Sequence, residues 1–193
     1  MKQSIALPSP ARVLPRGELR LVNRSHPLPA ELAPPALAPA LPGHPDILLE
    51  ARAAAALTAL VSALGRPGEI VPVSGFRPHW EQQQIWDDSL RDKGPDFTAK
   101  YVAWPGCSEH ETGLAVDIVA TDNQRLDDTQ EQTPETIWLH ENCWRFGFIL
   151  RYPAGKEDVT GIDYESWHYR YVGIDAARYL TEQQLTLDEF WAS

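Results

Sequence analysis

Apolar residues recur at the spacing of one helix face in the stretch that follows Asp46. The residues that share this face are Leu49, Ala53, Ala56, Leu57, Leu60, Val61 and Leu64. Their period indicates a helix with one buried side. Asp46 can cap the start of this helix, because its carboxylate can accept hydrogen bonds from the first free N–H groups. Gly65 can end the helix in a left-handed conformation.

Three further helices are predicted downstream. The first covers residues 79–93 and is followed by a predicted loop over residues 94–107. The second covers residues 133–146, with Thr133 as its cap and Pro134 at the first helical position. A short closing helix is expected around residues 176–180.

Strands are predicted over residues 69–75, 114–118, 148–152 and 165–172. In the second of these, Leu114, Val116 and Ile118 alternate with smaller or polar residues, so a strand would bury them and turn Asp117 to the opposite face. Helices and strands mix without a regular βαβ alternation, which favours an α+β fold. The sequence therefore predicts one α+β domain, a mainly antiparallel sheet with helices packed on it.

The first 45 residues hold most of the 17 prolines of the chain. Proline lacks a backbone N–H and restricts the residue before it, so these residues disfavour helices. Within them, residues 19–23 (LRLVN) alternate well enough to predict a short strand. We interpret residues 1–45 as a proline-rich arm packed on a domain formed by residues 46–193.

Charge and composition exclude several classes of protein. The formal net charge of the 193 residues is −10, and no run of Lys or Arg provides the positive field that a phosphate backbone requires, so no nucleic-acid partner is expected. No apolar stretch approaches a membrane span of about 20 residues, and the N-terminus lacks a continuous apolar signal segment. These observations predict a soluble, cytoplasmic protein without a membrane anchor. The two cysteines, Cys107 and Cys143, are then expected as free thiols, although a disulfide between them stays open.

Two histidines lie beside carboxylates in segments that are predicted to be rigid. His110 precedes Asp117 by seven residues, and His168 follows Glu165 by three. His110, Asp117 and His168 would give a zinc ion two imidazoles and one carboxylate and would leave a fourth position open, as in catalytic zinc sites. Glu165 is then available as a general base and acid. Residues three apart on a regular strand face opposite sides, so Glu165 must precede the strand or lie at a bulge.

Other interpretations of the same residues stay open. Each histidine could be a hydrogen-bonded structural residue, and Cys107 could act as a nucleophile with His110. Arg77 follows a predicted strand directly, so it could form a surface ion pair, stabilise an oxyanion or hold a substrate carboxylate. Spacing alone does not separate these roles.

Four sequence blocks, in this order, resemble one known family. They are SGFRPHWEQQ, YVAWPGCSEHETGLAVDI, GFILRYPAGKEDVTGIDYESWHYRYVG and LTLDEFW. The chain resembles, from about Leu19 to its C-terminus, the zinc D,D-carboxypeptidases and D,D-dipeptidases of the VanY and VanXY type. Within this family, the sequence is most similar to the unanchored VanXY type.

The resemblance implies the compact α+β D,D-peptidase fold, with a catalytic domain over residues 46–193 and one zinc ion per chain. It implies that His110, Asp117 and His168 bind zinc and that Glu165 is the catalytic base and then acid. It further implies that Arg77 stabilises the tetrahedral intermediate. Gln82 and Ser108 match family positions that contact substrate. Ser166 departs from the proline that many relatives have before the Trp-His pair, which bears on the positioning of Glu165.

The implied activity is hydrolysis of the terminal D-Ala-D-Ala bond of peptidoglycan precursors, as a carboxypeptidase and also as a dipeptidase, with a link to glycopeptide resistance. Its substrates would be small peptides that end in D-Ala-D-Ala. Two alternatives stay open: an L,D-carboxypeptidase that releases D-alanine from tetrapeptide stems, and a non-catalytic module that binds zinc or cell wall. A complete set of metal ligands with an additional glutamate favours the enzyme.

Overall fold

A four-stranded antiparallel sheet carries Asp117, Glu165 and His168 on its two central strands. The computed structural model describes residues 17–29, 32, 35–65 and 69–192. Its strands are β1 (Leu37–Leu41), β2 (His44–Glu50), β3 (Ile70–Ser74), β4 (Ala115–Ala120), β5 (Phe148–Tyr152) and β6 (Glu165–Tyr171). The main sheet has the order β3-β4-β6-β5, and β1 and β2 form a separate antiparallel hairpin. The α+β fold with a mainly antiparallel sheet is thus confirmed.

Helices pack around the sheet and the hairpin. They are α1 (Ala51–Leu64), α2 (His79–Lys93), α3 (Pro95–Tyr101), α4 (Pro134–Asn142), α5 (Glu157–Thr160), α6 (Ile174–Gln183) and α7 (Leu187–Ala192). The cap that Thr133 was predicted to form is present, because its side chain accepts a hydrogen bond from the N–H of Thr136. Gly65 ends α1 in the left-handed conformation, as predicted. Within the described residues, no helix is both long and apolar enough to cross a lipid bilayer.

The main core lies between α1 and one face of β4. Leu57 and Leu60 of α1 and Val116 and Ile118 of β4 are almost fully buried in the same apolar cluster. Every residue of β4 is buried, so the opposite face of this strand is covered as well. The predicted alternation thus sets which side chains enter the apolar core, and Asp117 is buried on the other face.

The predicted start of the first helix at Asp46 was wrong. Residues His44–Glu50 form β2, which pairs with β1, and the helix begins at Ala51. Glu50 is the cap, because its carboxylate accepts hydrogen bonds from the N–H groups of Arg52 and Ala53. Leu49 is the one buried residue of this stretch, and one buried residue is compatible with either a strand or a helix. Pairing with β1 makes the stretch a strand. The hairpin spans residue 45, where the sequence suggested that the arm meets the domain.

Two other local predictions were also wrong. Residues 95–101 form α3 rather than a loop, with Pro95 at the first helical position after Gly94. Residues 19–23 form no strand, and Asn23 makes only an isolated bridge with His26. Side chains hold this segment instead: Trp191 donates to the carbonyl of Leu19, and Asn23 donates to Asp188. Residues 1–16 of the predicted arm lie outside the described residues.

Gly75 permits a close approach between β2 and the end of β3. A Cβ atom at this position would lie 2.3 Å from the carbonyl oxygen of Leu48. That oxygen already accepts a hydrogen bond of 2.6 Å from the N–H of Phe76. The main chain at Gly75 is therefore fixed against the hairpin.

We predict that Gly75→Ala destabilises the protein by about 1–3 kcal/mol, because the added methyl group forces the two backbones apart. The melting temperature should fall by about 2–4 °C for each kcal/mol of lost stability. Gly43→Ala is the matched control, because a Cβ there meets nothing within 4 Å. Equal melting temperatures for the two variants would contradict the close approach.

Candidate metal centre and active-site cavity

Strands β4 and β6 bring two candidate ligands face to face. Asp117 of β4 lies directly opposite His168 of β6 in the antiparallel register. The Oδ1 atom of Asp117 lies 3.0 Å from Nδ1 of His168. His110 comes from the 3-10 turn Glu109–Thr112 just before β4, and its Nε2 lies 3.4 Å from Oδ2 of Asp117. One potential ligand atom from each residue lies within 4.8 Å of the others, and all three residues are buried.

Each histidine turns one ring nitrogen toward Asp117. Nδ1 of His110 lies 2.8 Å from the carbonyl oxygen of Gly75, an acceptor only, so Nδ1 donates and Nε2 keeps its lone pair. In His168 the nitrogen that faces Asp117 is Nδ1. Tetrahedral zinc sites with ligand distances of about 2.0–2.2 Å place neighbouring ligand atoms about 3.3 Å apart. The separations of 3.0 and 3.4 Å, measured to different oxygens of Asp117, are of this size, and one potential ligand atom from each residue lies within 4.8 Å of the others.

Burial and the neighbouring charges shift the pKa values of the three residues in different directions. Burial by itself would raise the pKa of Asp117, but the adjacent His110 and His168 lower it well below its usual range. Burial lowers the pKa of His110, which favours the neutral, metal-binding form. Burial would also lower the pKa of His168, but the nearby carboxylates of Asp117 and Glu109 raise it to about 9, so a metal must displace a proton from this ring.

A bulge in β6 places Glu165 beside His168. Leu150 pairs with Tyr169, whereas Tyr152 pairs with Glu165, so four residue steps on β6 oppose two on β5. The expected irregularity at this position is therefore present. Oε2 of Glu165 lies 3.7 Å from Nδ1 of His168. Burial raises the pKa of Glu165 to about 8, while the charge of His168 acts in the opposite direction.

Arg77 is fixed at the edge of the site by neighbours on three elements. Its Nη1 donates to Oε1 of Gln82 at 2.7 Å, and its Nη2 donates to Oγ of Ser74 at 2.9 Å. Its backbone N–H donates to the carbonyl of His110. Gln82 is only 1% exposed, and its amide donates to the carbonyl of Ala103 at 2.7 Å. Gln82 thus fixes the guanidinium and has little surface left for a ligand.

One cavity of about 470 Å³ joins these groups. Its wall includes all seven residues singled out in the sequence: Arg77, Gln82, Ser108, His110, Asp117, Glu165 and His168. Ser108 is 3% exposed. Phe97, Tyr101 and Leu126 add exposed apolar surface to the lining. The cavity can therefore hold a small ligand with both polar and apolar groups.

Sequence reasoning left Glu109 and Glu111 without a role, and the structure gives both of them partners. Glu109 is fully buried and contacts Arg151 and Arg170, which are distant in sequence. Glu111 accepts a hydrogen bond from the N–H of Gly106, and its other oxygen lies 2.9 Å from Nδ1 of His79. The sequence signal for a role of Glu109 was its position next to His110. The arginine partners of Glu109 are distant in sequence, so only the fold brings them to it.

The structure does not support Cys107 as a nucleophile. Its side chain lines a neighbouring cavity of about 190 Å³, whereas His110 lines the larger cavity. Burial raises the pKa of the Cys107 thiol, which disfavours the reactive thiolate. Both cysteines are free thiols, as expected.

Known proteins with a related sequence are peptidases that act on D-alanyl peptides. Residues 46–174 match the family model described as VanY, D-alanyl-D-alanine carboxypeptidase. The chain is 38% identical over 177 residues to the bifunctional D-Ala-D-Ala dipeptidase and carboxypeptidase VanXYC of Enterococcus gallinarum. That match covers 89% of this chain and 92% of the relative.

Solved structures give the same result. The fold is similar to that of the vancomycin-resistance D,D-dipeptidase VanXYg in complex with a D-Ala-D-Ala phosphinate analogue, with a TM-score of 0.84 and 38% identity over 90% of this chain and 70% of that one. It is also similar to the LD-carboxypeptidase LdcB, with a TM-score of 0.82 and 36% identity over 92% and 87% of the two chains.

A third similar structure contains the metal. It is a variant of the vancomycin-resistance D,D-pentapeptidase VanY in complex with Zn(II), with a TM-score of 0.74 and 38% identity over 90% of this chain and 98% of that one. The family model covers most of the chain, and the relative from Enterococcus gallinarum matches along nearly its whole length. This chain therefore belongs to the VanY family of D-alanyl-D-alanine carboxypeptidases.

Proposed function

We propose that this protein is a zinc-dependent D,D-peptidase that removes the terminal D-alanine from peptides ending in D-Ala-D-Ala. The observation that carries the proposal is the convergence of a buried His-Asp-His cluster, a glutamate and an arginine on one cavity. A module that only binds zinc or cell wall needs neither the glutamate nor the arginine at this position. Two of the relatives named above support this substrate class, because VanXYC is named a D-Ala-D-Ala dipeptidase and carboxypeptidase and VanXYg is in complex with a D-Ala-D-Ala analogue.

The metal ligands in this proposal are Nε2 of His110, a carboxylate oxygen of Asp117 and Nδ1 of His168. Three protein ligands leave one coordination position for water or substrate, which is the arrangement of catalytic zinc sites. A single zinc ion held there would act as a Lewis acid that lowers the pKa of water and polarises a carbonyl group.

Glu165 is the proposed general base and acid. Its carboxylate lies 3.7 Å from His168, so it can reach a water molecule that is held next to the proposed metal ligands. A carboxylate whose pKa is raised to about 8 is a stronger base toward the attacking water than an ordinary glutamate, and the carboxylic acid so formed can pass the proton to the leaving amine. Burial on the bulged strand is the physical cause of this raised pKa.

Arg77 is the proposed electrostatic partner of the substrate. Its two Nη groups are fixed by Gln82 and Ser74, so its orientation is set before substrate binds. A guanidinium in this position stabilises the negative oxygen that develops on the attacked carbonyl. Ser108 in the cavity wall is a proposed substrate contact, and Gln82 supports Arg77 from behind.

The proposed substrates are the free dipeptide D-Ala-D-Ala and the pentapeptide precursor. The bifunctional relative from Enterococcus gallinarum, which matches along nearly its full length, supports both activities. The LD-carboxypeptidase among the similar structures keeps the tetrapeptide as the alternative substrate. A contribution to vancomycin resistance belongs to the proposal, and a cytoplasmic location stays a prediction.

A substrate panel tests this function directly. We expect purified protein with zinc to release D-alanine from the dipeptide and the pentapeptide, and a chelator to abolish the release. Release from the tetrapeptide alone would establish the L,D-carboxypeptidase instead. No release from any of the three would leave a binding module as the better description.

Two variants separate the metal ligand from the base. Glu165→Gln should keep its zinc and lose turnover by about 10²–10⁴-fold, because the amide accepts no proton. His168→Ala should lose both zinc and turnover. Zinc content by atomic absorption and D-alanine release measure the two effects, with the exposed histidine variant His26→Ala as the control. Full activity of Glu165→Gln would show that another group is the base.

A further pair of variants tests the support of Arg77. Arg77→Met should lower kcat by about 10²–10³-fold, as for removal of one oxyanion donor. Gln82→Ala should cause a smaller loss, because the guanidinium remains but loses one anchor. Gln83→Ala, on the exposed side of the same helix, should leave kcat unchanged. A larger loss for Gln82→Ala than for Arg77→Met would instead make Gln82 a direct substrate contact.

A further inference from the structure

Glu109 lies between two buried arginines and one of the candidate metal ligands. Its Oε1 is 2.7 Å from Nε of Arg151 and 2.8 Å from Nη1 of Arg170. Its Oε2 is 3.7 Å from Nε2 of His168. The Glu109, Arg151 and Arg170 side chains are 0% exposed, so water does not screen these interactions.

Oε2 of Glu109 and Nε2 of His168 face each other at 3.7 Å, beyond hydrogen-bond distance. Within the described residues, both Oε2 of Glu109 and Nε2 of His168 are buried without a hydrogen bond. A buried polar atom without a partner is costly. When Nδ1 of His168 binds a metal beside Asp117, the remaining ring proton is on Nε2, which faces Oε2 of Glu109 at 3.7 Å. Metal-binding histidines commonly donate their second N–H to a carboxylate in this way.

Ion pairs with two arginines hold Glu109 in place. Arg151 is fixed in turn by Asp188 of α7, at 2.6 Å. Arg170 donates to the carbonyl oxygens of Glu18 and Arg20 in the N-terminal segment. Residues from both ends of the described chain thus fix the two arginines, and the arginines fix Glu109.

We propose that Glu109 is a positioning residue for the metal centre. It accepts the Nε2–H of His168 and thereby fixes the ring orientation and the tautomer that turn Nδ1 toward the metal. The inference rests on the proposed role of His168 as a ligand and adds a residue to which the sequence gave no role.

The test compares Glu109→Gln with Asp188→Asn. Both changes remove one negative charge from the partners of Arg151, but only Glu109 faces His168. We expect Glu109→Gln to weaken zinc binding by about 10–100-fold, as for other partners of metal-binding histidines. Zinc affinity is measured by competition with a chromophoric chelator, and the spectrum of the cobalt-substituted protein should change. Asp188→Asn should unfold at a lower temperature yet keep its zinc affinity.

The outcomes separate this inference from the proposed function. Equal zinc affinities for Glu109→Gln and wild type would overturn the role of Glu109 and leave the zinc peptidase intact. Equal losses in Glu109→Gln and Asp188→Asn would also overturn it, because general destabilisation would then explain the effect. A wild-type protein that binds no zinc would contradict the proposed function itself.

A measurement on wild-type protein keeps the inference testable if Glu109→Gln fails to fold. Nitrogen-15 NMR of the histidine rings in the zinc-loaded protein reports which nitrogen of His168 carries the proton and whether that proton is hydrogen-bonded. We expect a downfield Nε2–H that exchanges slowly with water. A proton on Nδ1, or an Nε2–H that exchanges rapidly, would overturn the proposal.

Discussion

The antiparallel register between β4 and β6 is the constraint on which the site depends. It sets Asp117 opposite His168, so backbone pairing, and not a flexible loop, brings these two candidate ligands together. The apolar face of β4 packs on α1 and prevents the strand from sliding or turning over. His110 precedes the same strand and is tied to Gly75 at the end of β3. Three strands and one core therefore determine the geometry of three side chains.

Three buried carboxylates share this region, and their neighbours give them different chemistry. Glu109 contacts two arginines, and its pKa is lowered. Asp117 lies between two imidazoles, and its pKa is lowered by their proximity. Among the residues that the structure describes, Glu165 forms no ion pair with an arginine, so burial dominates and its pKa rises to about 8. The same functional group can thus serve as support, ligand and proton carrier, because each environment favours a different protonation state.

Charged groups at this depth are stable only as a network. Removing a carboxylate or guanidinium from water costs several kcal/mol, and a good partner offsets that cost only with close geometry. The short contacts of Arg151 with Glu109 and Asp188 meet this requirement. The network extends from the metal centre to α7 and to residues 18–20, so the peripheral segments stabilise the central site. This connection explains why an N-terminal segment without a strand is nevertheless ordered against the domain.

Local sequence patterns predicted those structural features that depend on interactions within a few residues. The cap at Thr133, the end of α1 at Gly65 and the extent of α2 follow from side-chain and backbone preferences within a few residues, and all three were predicted. The start of α1 was not, because pairing of β2 with β1 competes with helix formation over residues 44–50. The α3 helix was missed, although Pro95 after Gly94 carries the same N-terminal signal as Pro134.

For the site, the sequence by itself determined the chemical types and their order along the chain. His110 with Asp117, and Glu165 with His168, lie close enough in sequence for their spacing to indicate a metal site with an adjacent base. Only the tertiary structure decided which ring nitrogens face Asp117, which bulge turns Glu165 toward His168, and which arginines surround Glu109. Those features depend on contacts such as that between Glu109 and Arg151, 42 residues apart. Such contacts leave no periodic trace in the sequence, because they are fixed by how the strands pair and not by local preference.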